Sequence, residues 1–528
     1  MSEPPAGWER EAEQIRERRR RARQLGGEEA VAKQHAAGRL SIRERIDALL
    51  EPGSFGEWGP IAGHAETDAE GKLVDFSPAN YVLGTGRVGG RPVVVGGEDF
   101  TQRGGSPSPA GLAKSVFAED LCLRLRVPLV RLLQGGGGSV TGAKGKSQGP
   151  KRGGATGSAM SPRHRFSSIA ECMATVPVAS AALGPVAGLP AARLVASHFA
   201  VMTRGTSQVL VAGPAVVERA LGEKLDKDAL GGAKVHARSG VVDAVARDER
   251  EAFECIARFL SYLPTHVWQP APRTDCDDDL ARAEESLLSI VPRERRAIYD
   301  ARKLVGAVVD RGSFFELSRG YGRSQITGLA RLAGQPVGVW ANDPRFYAGS
   351  MEAEGARKVR RFVELCDTFH LPVAAFVDEP GFMIGSAAER DATIRFGAEA
   401  MFAVVQARVP WVSVIVRKAY GVAAAAHFAP DARVYAWPSA ESGALPVEGG
   451  VAVAFRREIE SAADPEARRA ELEEQFAATR SPFPRAEAFG VHDLIDPRET
   501  RARLCDWVDE IQTQLAGELG PRRYGMRP

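Results

Sequence analysis

The sequence predicts an α/β protein made of two tandem domains related by internal duplication. Three observations support this. The 528-residue chain is longer than one hydrophobic core usually organises. The segment RVGGRPVVVGGEDF from Arg87 recurs as RLAGQPVGVWANDP from Arg331, at an offset of 244 residues. Each copy also shows the order strand, helix, strand, which is typical of βαβ units. We predict domains at residues 1–270 and 271–528.

The repeat continues without gaps on both sides of these segments. At the same offset the sequence pairs Gly84 with Gly328, Asp99 with Asp343, Gly105 with Gly349, Lys114 with Lys358, Cys122 with Cys366 and Pro128 with Pro372. At shifted offsets GSFGE from Gly53 recurs as GSFFE from Gly312, and GVVDAV from Gly240 recurs as GVHDLI from Gly490. Each half therefore has a matching start, middle and end.

Each half begins with a β-branched run that predicts a strand, and a helix with apolar residues at helical spacing follows it. A proline then precedes a second, buried strand. The first strands are Val93–Val95 and Val337–Val339, the helices run from beyond Ser106 and Ser350 into Cys122 and Cys366, and the second strands are Leu129–Leu133 and Val373–Val377. Crossovers between such parallel strands are right-handed, and helices cover the sheet.

Composition excludes several classes of partner. With 69 basic and 67 acidic residues the net charge is +2, so charge indicates neither nucleic-acid nor membrane binding. The six cysteines form no CxxC pair, which disfavours a disulfide framework and a zinc ribbon, and we predict no metal site.

The N-terminal stretch is charged and lacks an apolar segment, so we expect a cytoplasmic protein. For the uncharged run Cys172–Ala192 we predict a buried helix and turn, not a membrane span.

The sequence contains no HExxH, GxSxG or GxxxxGK[ST] motif, so attention turns to backbone donors. Gly184–Ala191 in the first half and Ala419–Ala425 in the second are both rich in small residues. We predict in each a turn that leads into an apolar helix. Unpaired N–H groups at a helix N-terminus can hold a developing oxyanion. Tight helix packing is the alternative explanation for the small residues.

Two basic segments have open interpretations. Gly135–Arg165 mixes glycines with lysines and arginines, so it could clamp the phosphates of a nucleotide-bearing substrate or be a solvated surface loop. Glu9–Gln24 predicts a basic helix that faces solvent or a partner.

Eight segments spread over nearly the whole chain form a specific series. They are GRLSIRERIDALLEPGSF from Gly38, EDFTQRGGS from Glu98, VLVAGPAVV from Val209, LGGAKVHARSGVVD from Leu230, ANDPRFYAGSMEAEGARKVRRFVELCDTFHLPV from Ala341, FVDEPGFMIG from Phe376, VIVRKAYG from Val414 and YAWPSAE from Tyr435. In these segments the chain resembles the β subunits of propionyl-CoA and methylcrotonyl-CoA carboxylases and related transcarboxylases.

This resemblance implies two crotonase-like domains, a homo-hexameric ring, and an active site shared between the first half of one subunit and the second half of its neighbour. It also implies carboxybiotin on a separate carrier, supplied by a biotin carboxylase/biotin carrier (α) subunit. The implied reaction transfers CO2 to the α, or vinylogous γ, carbon of an acyl-CoA through a thioester enolate. Both reaction steps place negative charge on an oxygen, which backbone donors can stabilise.

The resemblance also assigns roles by position. The backbone donors would be Gly188 and Leu189 for the acyl-CoA carbonyl, and Val422 and Ala423 for the biotin carbonyl. The remaining substrate residues would be Gly135, Gly136, Gly137, Ala187 and Ala425. The remaining biotin-side residues would be Gly381, Phe382, Tyr420 and Gly421. The small Ala425 predicts room for more than a short acyl group.

The first half departs from the family pattern. Where relatives usually carry Ala-Gly-Gly-Ala, this chain has Ala187-Gly188-Leu189-Pro190, and proline has no N–H to donate. The departure predicts a remodelled first oxyanion site.

Two alternative functions stay open at this point. One is a biotin-dependent decarboxylase or transcarboxylase subunit on the same fold, and the other is a non-catalytic structural paralogue in a mixed ring.

Overall fold

The computed structural model describes residues 7–137, 166–478 and 480–528, and it divides into two compact units. The first unit is Met1–Ser261 together with Arg527–Pro528, and the second is Tyr262–Met526. The division falls where a long helix ends, close to the limits of 1–270 and 271–528 that the sequence suggests.

The first unit is built on one eight-stranded sheet in the order β1-β4-β5-β6-β7-β8-β10, with β9 paired to β7. Pairs β1–β4 and β4–β5 are antiparallel, and the sheet is parallel from β5 onwards. The strands are β1 Gly56–Glu57, β2 Gly63–Thr67, β3 Leu73–Pro78, β4 Tyr81–Val88, β5 Arg91–Glu98, β6 Leu129–Gly135, β7 Val178–Ala187, β8 Phe199–Thr203, β9 Gln208–Leu210 and β10 Ala244–Ala246. Strands β2 and β3 form a separate hairpin.

Helices precede and connect these strands in the described part of the first unit. They are α1 Glu9–Arg23, α2 Glu28–Ala36, α3 Ile42–Leu49, α4 Pro109–Leu125, α5 Ser167–Thr175, α6 Leu189–Val195, α7 Pro214–Leu221, α8 Lys227–Gly231, α9 Ala233–Ser239 and α10 Glu249–Tyr262, with a 3-10 turn at Arg103–Gly105.

The second unit repeats the same topology in the order β11-β12-β13-β14-β15-β16-β18, with β17 paired to β15. Its strands are β11 Phe315–Leu317, β12 Gln325–Leu332, β13 Gln335–Asn342, β14 Val373–Glu379, β15 Trp411–Tyr420, β16 Arg433–Ala436, β17 Glu441–Gly443 and β18 Asp493–Leu494. The two matching sheets confirm the predicted α/β duplication.

The helices of the second unit are α11 Leu287–Ile290, α12 Ala301–Val308, α13 Ala353–Thr368, α14 Ser386–Arg390, α15 Thr393–Gln406, α16 Gly421–Ala425, α17 Val447–Ala454, α18 Arg456–Ser461, α19 Pro465–Ala478, α20 Phe483–Glu487, α21 Thr500–Glu510 and α22 Gln512–Gly517, with 3-10 turns at Tyr347–Gly349 and Pro497–Glu499. The predicted strand–helix–strand order is thus confirmed as β5-α4-β6 and β13-α13-β14.

One secondary-structure prediction is wrong. The uncharged run Cys172–Ala192 is not a buried helix and turn, because ten of its residues form β7 between the end of α5 and the start of α6. Strand β7 lies between β6 and β8, and nearly all of its residues are buried. A strand buried on both faces lacks the alternating pattern that would distinguish it from a buried helix. Among the described residues, no helix is long and apolar enough to cross a membrane.

The parallel strands bring their carboxyl ends to one edge of each sheet. Strands β6 and β7 end there at Gly135 and Ala187, and strands β14 and β15 end at Glu379 and Tyr420. Ligands of open α/β sheets bind beyond this edge. Both predicted oxyanion segments therefore lie where such a fold places its sites.

Candidate oxyanion turns at the carboxyl edges of the sheets

A strand, a left-handed glycine and a short helix form the same turn in both units. Gly188 follows the ten-residue strand β7 with a φ of 65°, and Gly421 follows the ten-residue strand β15 with a φ of 63°. Such positive values strain any residue with a Cβ, which explains glycine at both positions. Part of the predicted first turn, Gly184–Ala187, belongs instead to β7.

The shared geometry fixes which residues of the two turns correspond. Counting from each glycine, Leu189 matches Val422 and Pro190 matches Ala423. The first N–H groups of a helix have no partner within it, so Val422 and Ala423 can both donate to a ligand. In the first turn Leu189 supplies an N–H but Pro190 does not. The two turns therefore differ by one donor.

The glycine segment after β6 packs directly against the first turn. A Cβ on Gly188 would lie 2.8 Å from the Cα of Gly137, so these two backbones touch. Gly135 is paired with Val186 in the sheet, and the amide of Gly136 donates to the Gly104 carbonyl at 3.1 Å. Four of the predicted acyl-CoA residues, namely Gly135, Gly136, Gly137 and Ala187, are thus brought beside Gly188. Most of the predicted phosphate loop, residues 138–165, lies outside the described residues.

A duplicated glycine shows that the two sites are built alike. A Cβ on Gly105 would lie 2.5 Å from the Gln134 carbonyl oxygen, and a Cβ on Gly349 would lie 2.8 Å from that of Asp378. Both carbonyls belong to the next-to-last residue of equivalent strands, β6 and β14. The matched glycines therefore allow the same close backbone approach beside both turns.

The second turn is anchored by Tyr420, whose side chain is fully buried. Its hydroxyl donates to Glu441 at 2.7 Å, and Glu441 in turn is paired with Arg295 at 2.9 Å. Burial, followed by the hydrogen bond to Glu441, raises the pKa of Tyr420, so the phenol stays protonated. Tyr420 thus fixes the end of β15 and does not act as a base.

The exposed face of α16 carries Val422 and Ala425. The Val422 side chain is 59% exposed, and Ala425 lies three residues further on the same face. Ala423 is buried beneath them. A ligand that reaches the donor amides of this turn would therefore meet the Val422 side chain and, one turn along, Ala425.

The Gly381–Phe382 loop extends from the neighbouring strand β14. The amide of Gly381 donates to the Glu379 carboxyl at 3.0 Å, and Phe382 forms a parallel bridge with Met351. The Phe382 ring fills the space that a side chain at Gly397 of α15 would need. The loop is therefore fixed at both ends, next to the strand that leads into α16.

The sequence did not predict the buried ion pair that supports the carboxyl edge of the second sheet. Asp378 accepts from Arg417 at 2.9 Å, from the Tyr299 hydroxyl at 3.0 Å and from the Lys418 amide at 3.1 Å. Asp378 and Arg417 are both buried. No spacing rule connects these positions, because the fold brings them together from two strands and a distant loop.

Two buried histidines of the second unit contribute a pH-dependent part of its stability. Burial lowers the pKa of His370 to about 4 and that of His427 to about 3. Below pH 6.5 the unfolded chain binds protons that these folded imidazoles cannot, so the contribution of each histidine to stability falls as the pH drops. We expect each histidine to cost about 2 kcal/mol between pH 7 and pH 5. Hydrogen exchange of core amides in the second unit measures this loss.

A methionine variant provides the control for that measurement. H370M should lose less stability than the unmodified chain over the same pH interval. H64M, at an exposed position on β2, should leave the loss unchanged. Equal losses in the unmodified chain and in H370M would contradict the assignment.

The duplicated α/β fold carries one such amide turn in each unit, an arrangement that suits an enzyme with backbone donors. The Carboxyl transferase domain model matches residues 33–518. The chain therefore belongs to the carboxyl transferase family and is a carboxyltransferase of the acyl-CoA carboxylase type, as its motifs predict.

Known relatives and solved structures agree with this assignment. The propionyl-CoA carboxylase carboxyltransferase subunit of Haloferax mediterranei is 35% identical over 504 residues, which cover 93% of this chain and 94% of the relative. The methylmalonyl-CoA decarboxylase subunit alpha of Veillonella parvula is 32% identical, with 95% and 96% covered. A transcarboxylase 12S crystal structure with methylmalonyl-CoA bound matches with a TM-score of 0.83 and 31% identity, over 99% of this chain and 97% of that one.

Proposed function

We propose that this chain transfers a carboxyl group from carboxybiotin, held on a separate carrier subunit, to an acyl-CoA. The observation that carries the proposal is the pair of strand–glycine–helix turns, one per unit, in the same backbone register. A reaction with two oxyanions, one on the thioester and one on the ureido ring, requires two such donor sites.

The residues of the first unit would bind the acyl-CoA. The Leu189 amide, with Gly188 beside it, faces the thioester oxygen in this proposal. Gly135–Gly137 and Ala187 lack bulky side chains and so let the thioester approach the backbone. Because Pro190 provides no second N–H at the following position, the enolate would have fewer backbone donors here than the ureido oxygen has in the second unit.

The residues of the second unit would bind the biotin ring. Val422 and Ala423 would donate their amides to the ureido oxygen, Tyr420 and Gly421 would hold the turn, and Gly381 and Phe382 would line the other side. Biotin, when bound, would supply the base for the α-proton, so the residues of this turn would only hold and orient its ureido oxygen.

The partners follow from the same chemistry. The sequence carries no Met-Lys-Met biotinylation motif, so the biotin would come from a biotin carboxylase/biotin carrier subunit. We further propose a hexameric ring in the cytoplasm, with each active site formed by the first half of one subunit and the second half of its neighbour. The hexamer assembly described for transcarboxylase 12S, which matches 99% of this chain, supports the ring.

Ala425 should set the length of the acyl chain. Ala425→Leu adds bulk on the exposed face of α16 and is expected to lower kcat/KM for acyl groups longer than propionyl by about tenfold. The value for acetyl-CoA should change less than threefold. Steady-state assays over a panel of acyl-CoA lengths measure the ratio. An equal loss on all chain lengths would contradict the assignment.

The test of the function itself uses the purified chain with its carrier, biotin carboxylase, ATP, labelled bicarbonate and the same acyl-CoA panel. We expect acid-stable label in a carboxyacyl-CoA. Absence of turnover on every acyl-CoA, together with stable assembly into the ring of an active paralogue, would contradict the proposal and favour a structural subunit.

A further inference from the structure

A fully buried acid and a fully buried imidazole face each other behind the second turn. Glu379 and His427 both have no exposed surface, and the Glu379 Oε2 atom lies 3.5 Å from the His427 Nε2 atom. Neither ring nitrogen of His427 has a hydrogen-bond partner among the residues that the structure describes. A buried imidazole without partners is costly, so its position requires an explanation.

The two side chains extend from the two segments assigned to the biotin side. Glu379 ends β14, and its Oε1 atom accepts from the Gly381 amide at 3.0 Å. His427 lies just beyond α16, where its amide donates to the Ala424 carbonyl at 3.0 Å. A hydrogen bond between the two side chains would therefore connect the loop to the turn.

Neighbouring residues fix the direction of the His427 side chain. Its ring stacks on Trp340 with centroids 3.8 Å apart. Its backbone carbonyl accepts from the Trp411 indole at 2.9 Å and from the Ser413 hydroxyl at 2.6 Å. An ordinary hydrogen bond to nitrogen is about 0.5 Å shorter than the present separation.

The surroundings favour a neutral pair. Asn342 donates to Glu379 Oε2 at 3.0 Å, and the charged neighbour Asp378 is neutralised by Arg417 at 2.9 Å. Burial raises the pKa of Glu379 well above its usual range and lowers that of His427, so both groups are uncharged near neutral pH. An uncharged acid can donate its proton to an uncharged imidazole.

We propose that Glu379 and His427 form a one-proton hydrogen-bonded pair in the working site, which positions the α16 turn against the Gly381–Phe382 loop. Both are positioning residues, since neither reaches the surface of the turn. The inference rests on the proposed function in one respect: the α16 turn is taken as the biotin side.

Four variants test the pair in the full chain. E379Q keeps the shape and offers His427 an N–H donor but cannot ionise, and it gives up the bond that Oε2 accepts from Asn342. H427M removes the acceptor, and H427Q keeps an acceptor oxygen and serves if H427M does not fold. H370M is the matched control, because His370 is also buried in the second unit but bonds the Val267 carbonyl instead.

Infrared difference spectra detect the pair independently of turnover. The unmodified chain should show the C=O band of a protonated carboxyl group that disappears in E379Q. The band should shift in H427M and stay in place in H370M. A band unaffected by H427M would overturn the proposal, as would its absence from the unmodified chain.

Kinetics of the complex with its carrier then test the positioning role. H427M should lower kcat about tenfold with KM for acyl-CoA within about twofold, and E379Q should stay within about threefold of the unmodified chain at pH 7. Glu379 loses its proton as the pH rises, so kcat of the unmodified chain should fall at alkaline pH while that of E379Q persists. An E379Q profile that falls in parallel would overturn the proposal. If the unmodified chain carboxylates no acyl-CoA, the proposed function fails while the infrared result still tests the pair.

Discussion

Replacing Ala423 by proline is expected to lower kcat for carboxyl transfer by about 100- to 1000-fold, because it removes one backbone donor from the second turn. The substitution is compatible with the fold, since the first turn already carries Pro190 at the matching position, two residues after its left-handed glycine. Stopped assays of label transfer into carboxyacyl-CoA measure the loss.

Ala423→Ser is the matched control for this substitution. It alters the side chain but keeps the N–H, so its kcat should stay within about threefold of the unmodified chain. The reverse substitution in the first turn, Pro190→Ala, restores an N–H and should raise kcat/KM. Equal activities of A423P and A423S would show that the Ala423 amide does not serve the reaction.

Asp378→Asn is expected to destabilise the second unit by about 3–5 kcal/mol, because it leaves the buried Arg417 guanidinium without its carboxylate. The same substitution weakens the contacts with the Tyr299 hydroxyl and the Lys418 amide. Hydrogen exchange of core amides in the second unit measures the change without assuming two-state unfolding of the whole chain.

The control for Asp378 is a carboxylate paired at the surface. Asp496 is bonded to Arg498 at 2.7 Å, but a third of each side chain is exposed. Asp496→Asn should therefore cost less than about 1 kcal/mol. If D378N lost no more stability than D496N, the buried Asp378–Arg417 pair would not stabilise the edge of the sheet.

Much of the fold could be predicted because the two halves of the sequence repeat each other at a constant offset. The 244-residue offset locates β5 against β13 and α4 against α13 without any knowledge of three-dimensional contacts. The secondary structure of the run Cys172–Ala192 could not be predicted in this way. A strand buried on both faces has the same apolar composition as a buried helix.

The site could be predicted only in part. Glycines and small residues marked both turns, and the structure places Gly137 against Gly188 as close packing requires. The resemblance assigned donor roles to Gly188 and Leu189 in the first turn and to Val422 and Ala423 in the second, and these roles stay predictions. The backbone register adds that Leu189 matches Val422 and Pro190 matches Ala423. Contacts such as Glu379 with His427 were not predictable, because the strand order of the fold alone brings these residues together.

A structure of the assembled chain with a non-hydrolysable acyl-CoA analogue tests the central claim most directly. The proposal predicts the thioester oxygen within about 2.7–3.2 Å of the Leu189 amide nitrogen, with the acyl chain beside Gly135–Gly137. An oxygen held instead by a side chain, or an analogue bound away from the carboxyl edge of the first sheet, would contradict it.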